Sequence, residues 1–139
     1  MSKSTIDTRA CPCGRTDQRA QPLPYARCCA RYLDDFTGTP APDAESLMRS
    51  RYTAFVRERA DYLLATWHSS TRPATVGFEP GARWLGLDLR SRSMSDGEHA
   101  EVEFVARSRD ASGRATRLHE RSRFVREAGR WYYVDDDLR

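Results

Sequence analysis

The chain has 139 residues and a mass of 15.9 kDa, which suffices for one hydrophobic core and at most a small appendage. Its mean hydropathy of −0.75 is polar, but three Trp, six Tyr and five Phe residues can anchor a core, which excludes a wholly disordered chain. No apolar run approaches the ~20 residues that cross a bilayer, and no secretion signal precedes the first cysteine. We therefore expect a cytoplasmic protein without membrane insertion.

The charge pattern weighs against nucleic acid as the main partner. Twenty-three basic residues, all of them Arg except Lys3, face 20 acidic ones and leave a net charge of +3. The acidic residues are interspersed among the basic ones, whereas nucleic-acid-binding proteins cluster their basic side chains. RNA binding is kept as a third alternative because arginines gather around the cysteines, namely Arg9, Arg15, Arg19, Arg27 and Arg31.

All four cysteines lie within residues 11–32, which contain too few large aliphatic side chains to form a core of their own. The polar residues 1–10 before them predict a flexible N-terminus. Two close pairs separated by a loop predict a tetrahedral zinc site, and Gly14 allows a tight turn beside the first pair. Four cysteines fill the coordination sphere, so the Zn²⁺ is predicted to be structural. The predicted ligands are Cys11, Cys13, Cys28 and Cys29.

Three alternatives to zinc remain for these thiols: disulfides, free structural thiols and a redox role. Disulfides fit poorly, since no export signal is present and the adjacent residues Cys28 and Cys29 would form a strained bridge. A redox role would require an exposed thiolate with a lowered pKa, and only the neighbouring arginines favour one. Zinc is therefore the preferred interpretation.

Beyond the cysteines, Gly and Pro residues predict a linker over residues 33–43, followed by an α+β domain over residues 44–139. Asp43 is a suitable N-cap for an amphipathic helix, and a second short helix is predicted over residues 61–67. From Trp84 onward apolar residues recur at every second position, and turn sequences divide this region into four strands. Consecutive hairpins form an antiparallel meander, with the helices covering one face.

Several motifs resemble known families. CPCG at residues 11–14, followed by YARCC at residues 25–29, resembles the SEC-C zinc motif, best known at the C-terminal tail of the SecA translocation ATPase. Six later segments are similar, in the same order, to the YchJ family: LMRSRYTAF, DYLLATWH, WLGL, FVAR, ERSRF and WYYVD. The resemblance implies a zinc-binding SEC-C segment followed by a nuclear transport factor 2-like cone, in which helices pack on a curved antiparallel sheet. It implies no established biochemical activity.

The cone fold implied by this resemblance encloses a cavity, so inward-facing polar side chains are candidate functional residues. Glu120 and Ser122 share a strand face with apolar neighbours, and a desolvated Glu120 would have a raised pKa suited to a general base. The preferred alternative for Glu120 is a structural ion pair with Arg51 or Arg49 of the covering helix.

Three further residues complete the acid/base set that could line the cavity, namely His68, Tyr52 and Asp135. For His68, a favourable interaction with the dipole at the end of the second helix is the preferred alternative. The sequence does not establish whether the protein is an enzyme.

Our leading hypothesis is a cytoplasmic accessory or adaptor protein whose zinc segment contacts a protein partner, because the related SecA tail contacts a chaperone and ribosomes. The alternative is a small-molecule enzyme or ligand-binding protein that uses the cone cavity. A homodimer through the outer sheet face is a further expectation.

Overall fold

The computed structural model describes residues 8–139 and contains a four-stranded antiparallel sheet in the order β1-β2-β3-β4. This arrangement confirms the predicted meander. Tight turns join the strands; in the second turn, Asp110 Oδ1 accepts hydrogen bonds from the backbone N–H groups of Ser112 and Arg114, both at 2.9 Å. The strands are β1 (Arg83–Met94), β2 (His99–Arg109), β3 (Ala115–Glu127) and β4 (Arg130–Leu138).

Three helices and a 3₁₀ turn precede the sheet. The Asp43 carboxylate caps the main helix, accepting from the Ser46 N–H at 2.7 Å, which confirms the predicted N-cap. That helix packs its buried face, which includes Leu47, Met48 and Tyr52, toward the sheet. The predicted α+β class and cone fold are therefore confirmed. The elements are the 3₁₀ turn (Tyr25–Arg27), α1 (Ala30–Leu33), α2 (Ala44–Val56) and α3 (Ala60–Ala65).

The second predicted helix is shorter than expected, because α3 ends before Thr66 and Trp67. The Thr66 hydroxyl donates to the Tyr62 carbonyl at 2.7 Å, and the following chain becomes extended. There Trp67 pairs in parallel with Tyr133 at the edge of β4, through two backbone hydrogen bonds of 2.8 Å. These sheet hydrogen bonds replace the helical ones, so His68 is not the last residue of a helix.

A β-bulge interrupts the pairing of β3 with β4. Arg123 pairs with Asp135, whereas its neighbour Phe124 pairs with Tyr133, so Val134 is an extra residue in β4. Because side chains alternate between sheet faces, one extra residue exchanges the faces beyond it. Tyr133 and Asp136 therefore share the inner face, and Asp135 lies on the outer one.

The outer face of the sheet is covered by paired charges. His119 Nε2 lies 2.7 Å from a Glu103 carboxylate oxygen, and Arg123 contacts both Asp135 and Asp137 at 2.6 Å. This agrees with the charge alternation predicted for a solvated sheet face.

The segment between the cysteines and α2 is packed against the rest of the fold. Phe36 stacks edge-to-face on Tyr62 at 6.2 Å, and the Arg130 guanidinium lies 4.1 Å from the Phe36 ring centroid. The predicted N-terminal segment 1–10 lies partly outside the described residues. Its residue Arg9 accepts a backbone hydrogen bond from Tyr25 at 2.8 Å. In the part of the chain from residue 8 onward, no helix is long and apolar enough to cross a membrane.

Candidate metal centre and cavity

Two tight turns bring the four cysteines together. The Gly14 N–H donates to the Cys11 carbonyl at 3.1 Å, and Gly14 has a φ of +76°, a region that favours glycine. The Cys11 N–H in turn donates to Leu23 at 2.9 Å, which closes a small hairpin. The second pair follows the 3₁₀ turn, where the Cys28 N–H donates to the Tyr25 carbonyl at 3.0 Å.

The four sulfur atoms form a compact, buried cluster. All Sγ atoms lie within 4.8 Å of one another, and none of the four residues is more than 5% exposed. The Sγ atoms of Cys13 and Cys28 are 3.6 Å apart, and all four cysteines are free thiols rather than disulfides. Tetrahedral zinc with Zn–S distances of about 2.3 Å places its sulfur ligands about 3.8 Å apart. The donor set and its spacing therefore fit Zn²⁺.

The electrostatics of the cluster also favour a cation at its centre. Hydrogen bonds from Cys13, Cys28 and Cys29 lower the pKa of the Cys11 thiol below its usual range. Hydrogen bonds with Cys11 and Cys13, together with burial, raise the pKa values of Cys28 and Cys29. Four thiols crowded together thus cannot all ionise unaided, whereas a divalent cation stabilises all four thiolates at once.

Polar contacts fasten the cysteine segment to α2. Arg49 donates to the Cys13 carbonyl at 2.8 Å, and Arg15 donates to the Ser46 hydroxyl at 2.9 Å. Both arginines also contact the Glu45 carboxylate. The cysteines belong to the same buried cluster as the apolar residues of α2 and the sheet. The cysteine segment and the cone therefore share one core.

A cavity of about 270 Å³ lies between the helices and the inner face of the sheet. Its size lies just below the ~300–1,000 Å³ range of ligand pockets, which suits only a small ligand. Most of its wall is aromatic or aliphatic, with a few polar groups. The lining residues are Met48, Arg51, Tyr52, Phe55, Trp67, Trp84, Phe104, Ala106, Leu118, Glu120, Ser122, Phe124, Tyr133 and Asp136.

Two carboxyl groups meet at the wall of this cavity, that of the half-buried Glu120 and that of the exposed Asp136. Burial, the charge of Asp136 and a hydrogen bond with it raise the pKa of Glu120 to about 7. Asp136 also accepts a hydrogen bond from the Tyr133 hydroxyl, whose pKa is raised by burial. With a pKa of about 7, Glu120 exists in both protonation states near neutral pH, so it can donate or accept a proton.

The structural ion pair expected for Glu120 is not formed. The Arg51 guanidinium instead donates to the Leu63 carbonyl at 2.8 Å and to the Thr66 hydroxyl at 2.7 Å. Arg49 is directed toward the cysteine segment. Within residues 8–139 no ion pair contacts Glu120. Arg51 is used at the C-terminal end of α3, and Arg49 is used in the contact with the cysteine segment.

The structure unites three of the five predicted pocket residues, Tyr52, Glu120 and Ser122. Burial raises the pKa of Tyr52 to about 12, so its phenol stays protonated. His68 and Asp135 do not line the cavity. His68 lies outside, with Nε2 3.2 Å from Glu127, because the chain after α3 pairs with the edge of β4.

Asp135 is turned to the outer face by the bulge at Val134, and Asp136 takes its place in the cavity. The run of three aspartates at residues 135–137 is the sequence signal for this carboxylate, since at least one member of a strand triplet faces inward.

Comparison with known proteins identifies relatives along the whole chain. A family model described as "YchJ, middle NTF2-like domain" matches residues 43–136. A UPF0225 protein from Polaromonas sp. (strain JS666 / ATCC BAA-500) is 64% identical over 139 residues, which cover 100% of both chains. A UPF0225 protein from Bordetella parapertussis is 54% identical over 142 residues, again 100% of both chains.

Two solved structures have the same fold. The solution structure of a SEC-C motif containing protein from Rhodopseudomonas palustris has a TM-score of 0.77 at 30% identity, covering 94% of this chain and 99% of that chain. The crystal structure of a SEC-C motif containing protein from Psychrobacter arcticus has a TM-score of 0.78 at 27% identity, covering 96% of this chain and 85% of that chain.

Proposed function

We propose that this chain, which belongs to the YchJ family of UPF0225 proteins, binds a small and largely apolar molecule in the cavity between α2 and the sheet. The observation that carries the proposal is the composition of the cavity wall. Aromatic and aliphatic side chains enclose a few polar groups, which is the usual character of a small-molecule site. Glu120 supplies a group that can exchange a proton near neutral pH.

In this proposal the metal is a structural Zn²⁺ held by Cys11, Cys13, Cys28 and Cys29. The four thiolates would fill its coordination sphere, so the metal would cross-link the two turns without touching a ligand in the cavity. Through Arg49 and the shared core, the cysteine segment would hold α2, which covers the cavity, in place. The unpaired thiols also support a reducing, cytoplasmic location.

The proposal is tested by native mass spectrometry of the protein purified gently from its own host. We expect one small molecule to be retained by the wild type and lost from Ala106→Leu, which fills the cavity. The matched control is Ala115→Leu, the same change at an exposed position, which should keep the molecule. A wild-type spectrum without a small molecule, together with no binding of added organic probes, would contradict the proposal.

A second candidate function is contact with a protein partner through the cysteine segment. It is supported by an ordered, exposed turn in which Asp17 accepts from the N–H groups of Arg19 and Gln21 at 2.8 and 3.1 Å. A protein retained by the wild type and lost from Arg19→Ala, at unchanged zinc content, would support this function. The same spectra report the oligomeric state. A homodimer formed through the sheet would place the charged outer faces of two copies against each other, so their charges would have to be complementary.

The arginines around the cysteines give RNA binding little support. Arg15 contacts Glu45 and Ser46, and Arg31 lies 4.9 Å from the Tyr32 ring centroid while donating to a backbone carbonyl. These contacts leave Arg15 and Arg31 fewer free N–H donors for phosphate groups.

A further inference from the structure

Arg51 is a buried cation that makes no direct ion pair, and Asp136, on the wall of the same cavity, acts on it only at a distance. It is only 5% exposed, lines the cavity and uses one nitrogen, Nη1, to close the end of α3. In the described part of the chain its Nε and Nη2 atoms make no hydrogen bond, and no ion pair joins it to a carboxylate. Burial lowers its pKa to about 10, so it keeps its charge at neutral pH. A buried charge of this kind is costly unless an anion compensates it.

Aromatic rings hold this guanidinium in place. Its central carbon lies 4.3 Å from the ring centroid of Tyr133 and 5.1 Å from that of Trp67. These contacts fix the group at the cavity wall without satisfying its remaining N–H donors, since a ring face accepts only a weak interaction.

One more donor at the same cavity lacks an acceptor. Trp67 lines the cavity, and its Nε1 is the one buried side-chain nitrogen or oxygen without a hydrogen bond in residues 8–139. The Ser122 hydroxyl is a further polar group of the cavity wall, on a residue only 2% exposed. An unsatisfied buried polar group destabilises the fold. The indole N–H of Trp67 and the unused guanidinium donors of Arg51 therefore indicate that a ligand supplies the acceptors.

The charges around the cavity permit an anion to enter. α2 contributes Arg51 and the neutral phenol of Tyr52, β3 contributes Glu120, and β4 contributes Tyr133 and Asp136, while β1 and β2 contribute only apolar side chains. While Glu120 is protonated, the cation of Arg51 balances the anion of Asp136. Once Glu120 ionises, the cavity carries a net negative charge and repels a second anion.

We propose that the cavity selects small organic acids, whose carboxylate accepts hydrogen bonds from Arg51, Trp67 and Ser122 while the apolar body packs against the aromatic wall. This proposal rests on the proposed function, because it names the ligand class for the same cavity.

The test compares cinnamate with its neutral counterpart cinnamamide by isothermal titration calorimetry at about pH 6, where Glu120 is mostly protonated. The two probes have similar shapes and differ in charge. We expect cinnamate to bind roughly tenfold more tightly or better, since hydrogen bonds to charged groups contribute about 1.5–3 kcal/mol. The preference should shrink toward pH 8 as Glu120 ionises.

Two variants and one control assign the selectivity to named groups. Arg51→Met should equalise the two affinities. Trp67→Phe removes the N–H donor together with part of the ring; the lost packing weakens both probes alike, so we expect the lost donor to weaken cinnamate several-fold more than cinnamamide. Trp131→Phe is the matched control, because Trp131 is buried but does not line the cavity. If Arg51→Met fails to fold, Trp67→Phe still decides the question.

The outcomes separate the two proposals. Equal wild-type affinity for both probes, or a preference unchanged in Trp67→Phe, would overturn the organic-acid inference and leave the cavity as a binding site. Binding of neither probe, with no small molecule retained from the host, would overturn the proposed function as well.

Discussion

The burial of Glu120 lowers the free energy of unfolding at a pH where its carboxyl group ionises. Its pKa is raised from 4.5 to about 7 by desolvation and by Asp136, so the folded protein favours the protonated acid. A folded-state pKa above the unfolded one contributes stability below about pH 4.5, and that contribution is lost as the pH rises through about 7. We therefore expect Glu120→Gln to raise the free energy of unfolding above that of wild type at pH 8, by about 1–3 kcal/mol.

Urea denaturation at pH 5 and pH 8 measures this effect. At pH 5 the two proteins should differ little, because Glu120 is then protonated in the fold. Glu98→Gln, the same change at an exposed position, is the control and should follow the wild type at both pH values. The structural ion pair expected from the sequence would give the opposite sign, with Glu120→Gln destabilising at pH 8.

At the scale of single elements, the turn that carries the first cysteine pair depends on one residue. Gly14 adopts a φ of +76°, and a Cβ there would meet its nearest atom, the Leu87 carbonyl oxygen, at an ordinary 3.9 Å. The penalty for Gly14→Ala is therefore conformational, about 1–2 kcal/mol. We expect a lower melting temperature and weaker zinc retention against a chelator. Gly97→Ala, in an open turn without positive φ, is the control and should change neither quantity.

The strands and helices also show which structural features the sequence could predict. Alternation in β3 was sufficient to place Glu120 and Ser122 on the inner face, and the capping signal at Asp43 located α2. The bulge at Val134 could not be predicted, because an extra strand residue has no side-chain signature and is selected by tertiary packing. Asp136 was missed for that reason.

The hydrogen-bond acceptor of Arg51 could not be predicted for a different reason. The sequence favours a carboxylate partner, Glu120, whereas Arg51 donates to the Leu63 carbonyl at the end of α3. Which acceptor a buried arginine reaches depends on where the neighbouring helix stops, and α3 stops at a sheet edge that lies far along the sequence. Local patterns do not record such a distant contact.

At the scale of the whole molecule, we expect loss of the metal to destabilise α2, the helix that covers the cavity. If the two parts folded independently, an emptied cysteine segment would become disordered while the cone stayed folded. The shared core and the contacts of Arg49 and Arg15 with α2 favour a coupled response instead. We expect a chelator to release one Zn²⁺, lower the melting temperature and increase amide hydrogen exchange in α2 as well as in the cysteine segment.

Hydrogen exchange followed by mass spectrometry distinguishes the two responses. The internal reference is the end of the β2–β3 hairpin at Arg109 and Ala115, because the other end, at Ala100 and Glu101, lies beside the N-terminus of α2. Unchanged exchange in α2 after complete zinc release would contradict the coupling and show that the cone is stable without the metal. Cys28→Ser should reproduce the effect of the chelator, because it removes one of the four thiolates.

The bulge in β4, at Val134, immediately precedes the run Asp135, Asp136 and Asp137. A register slip by one residue normally exchanges a buried side chain for a solvated one of different chemistry. Here the slip would exchange aspartate for aspartate, leaving a carboxylate beside Glu120 and another opposite Arg123. Because three aspartates follow one another, a one-residue insertion or deletion before them would still place an aspartate carboxylate on each face of the sheet at this end of β4.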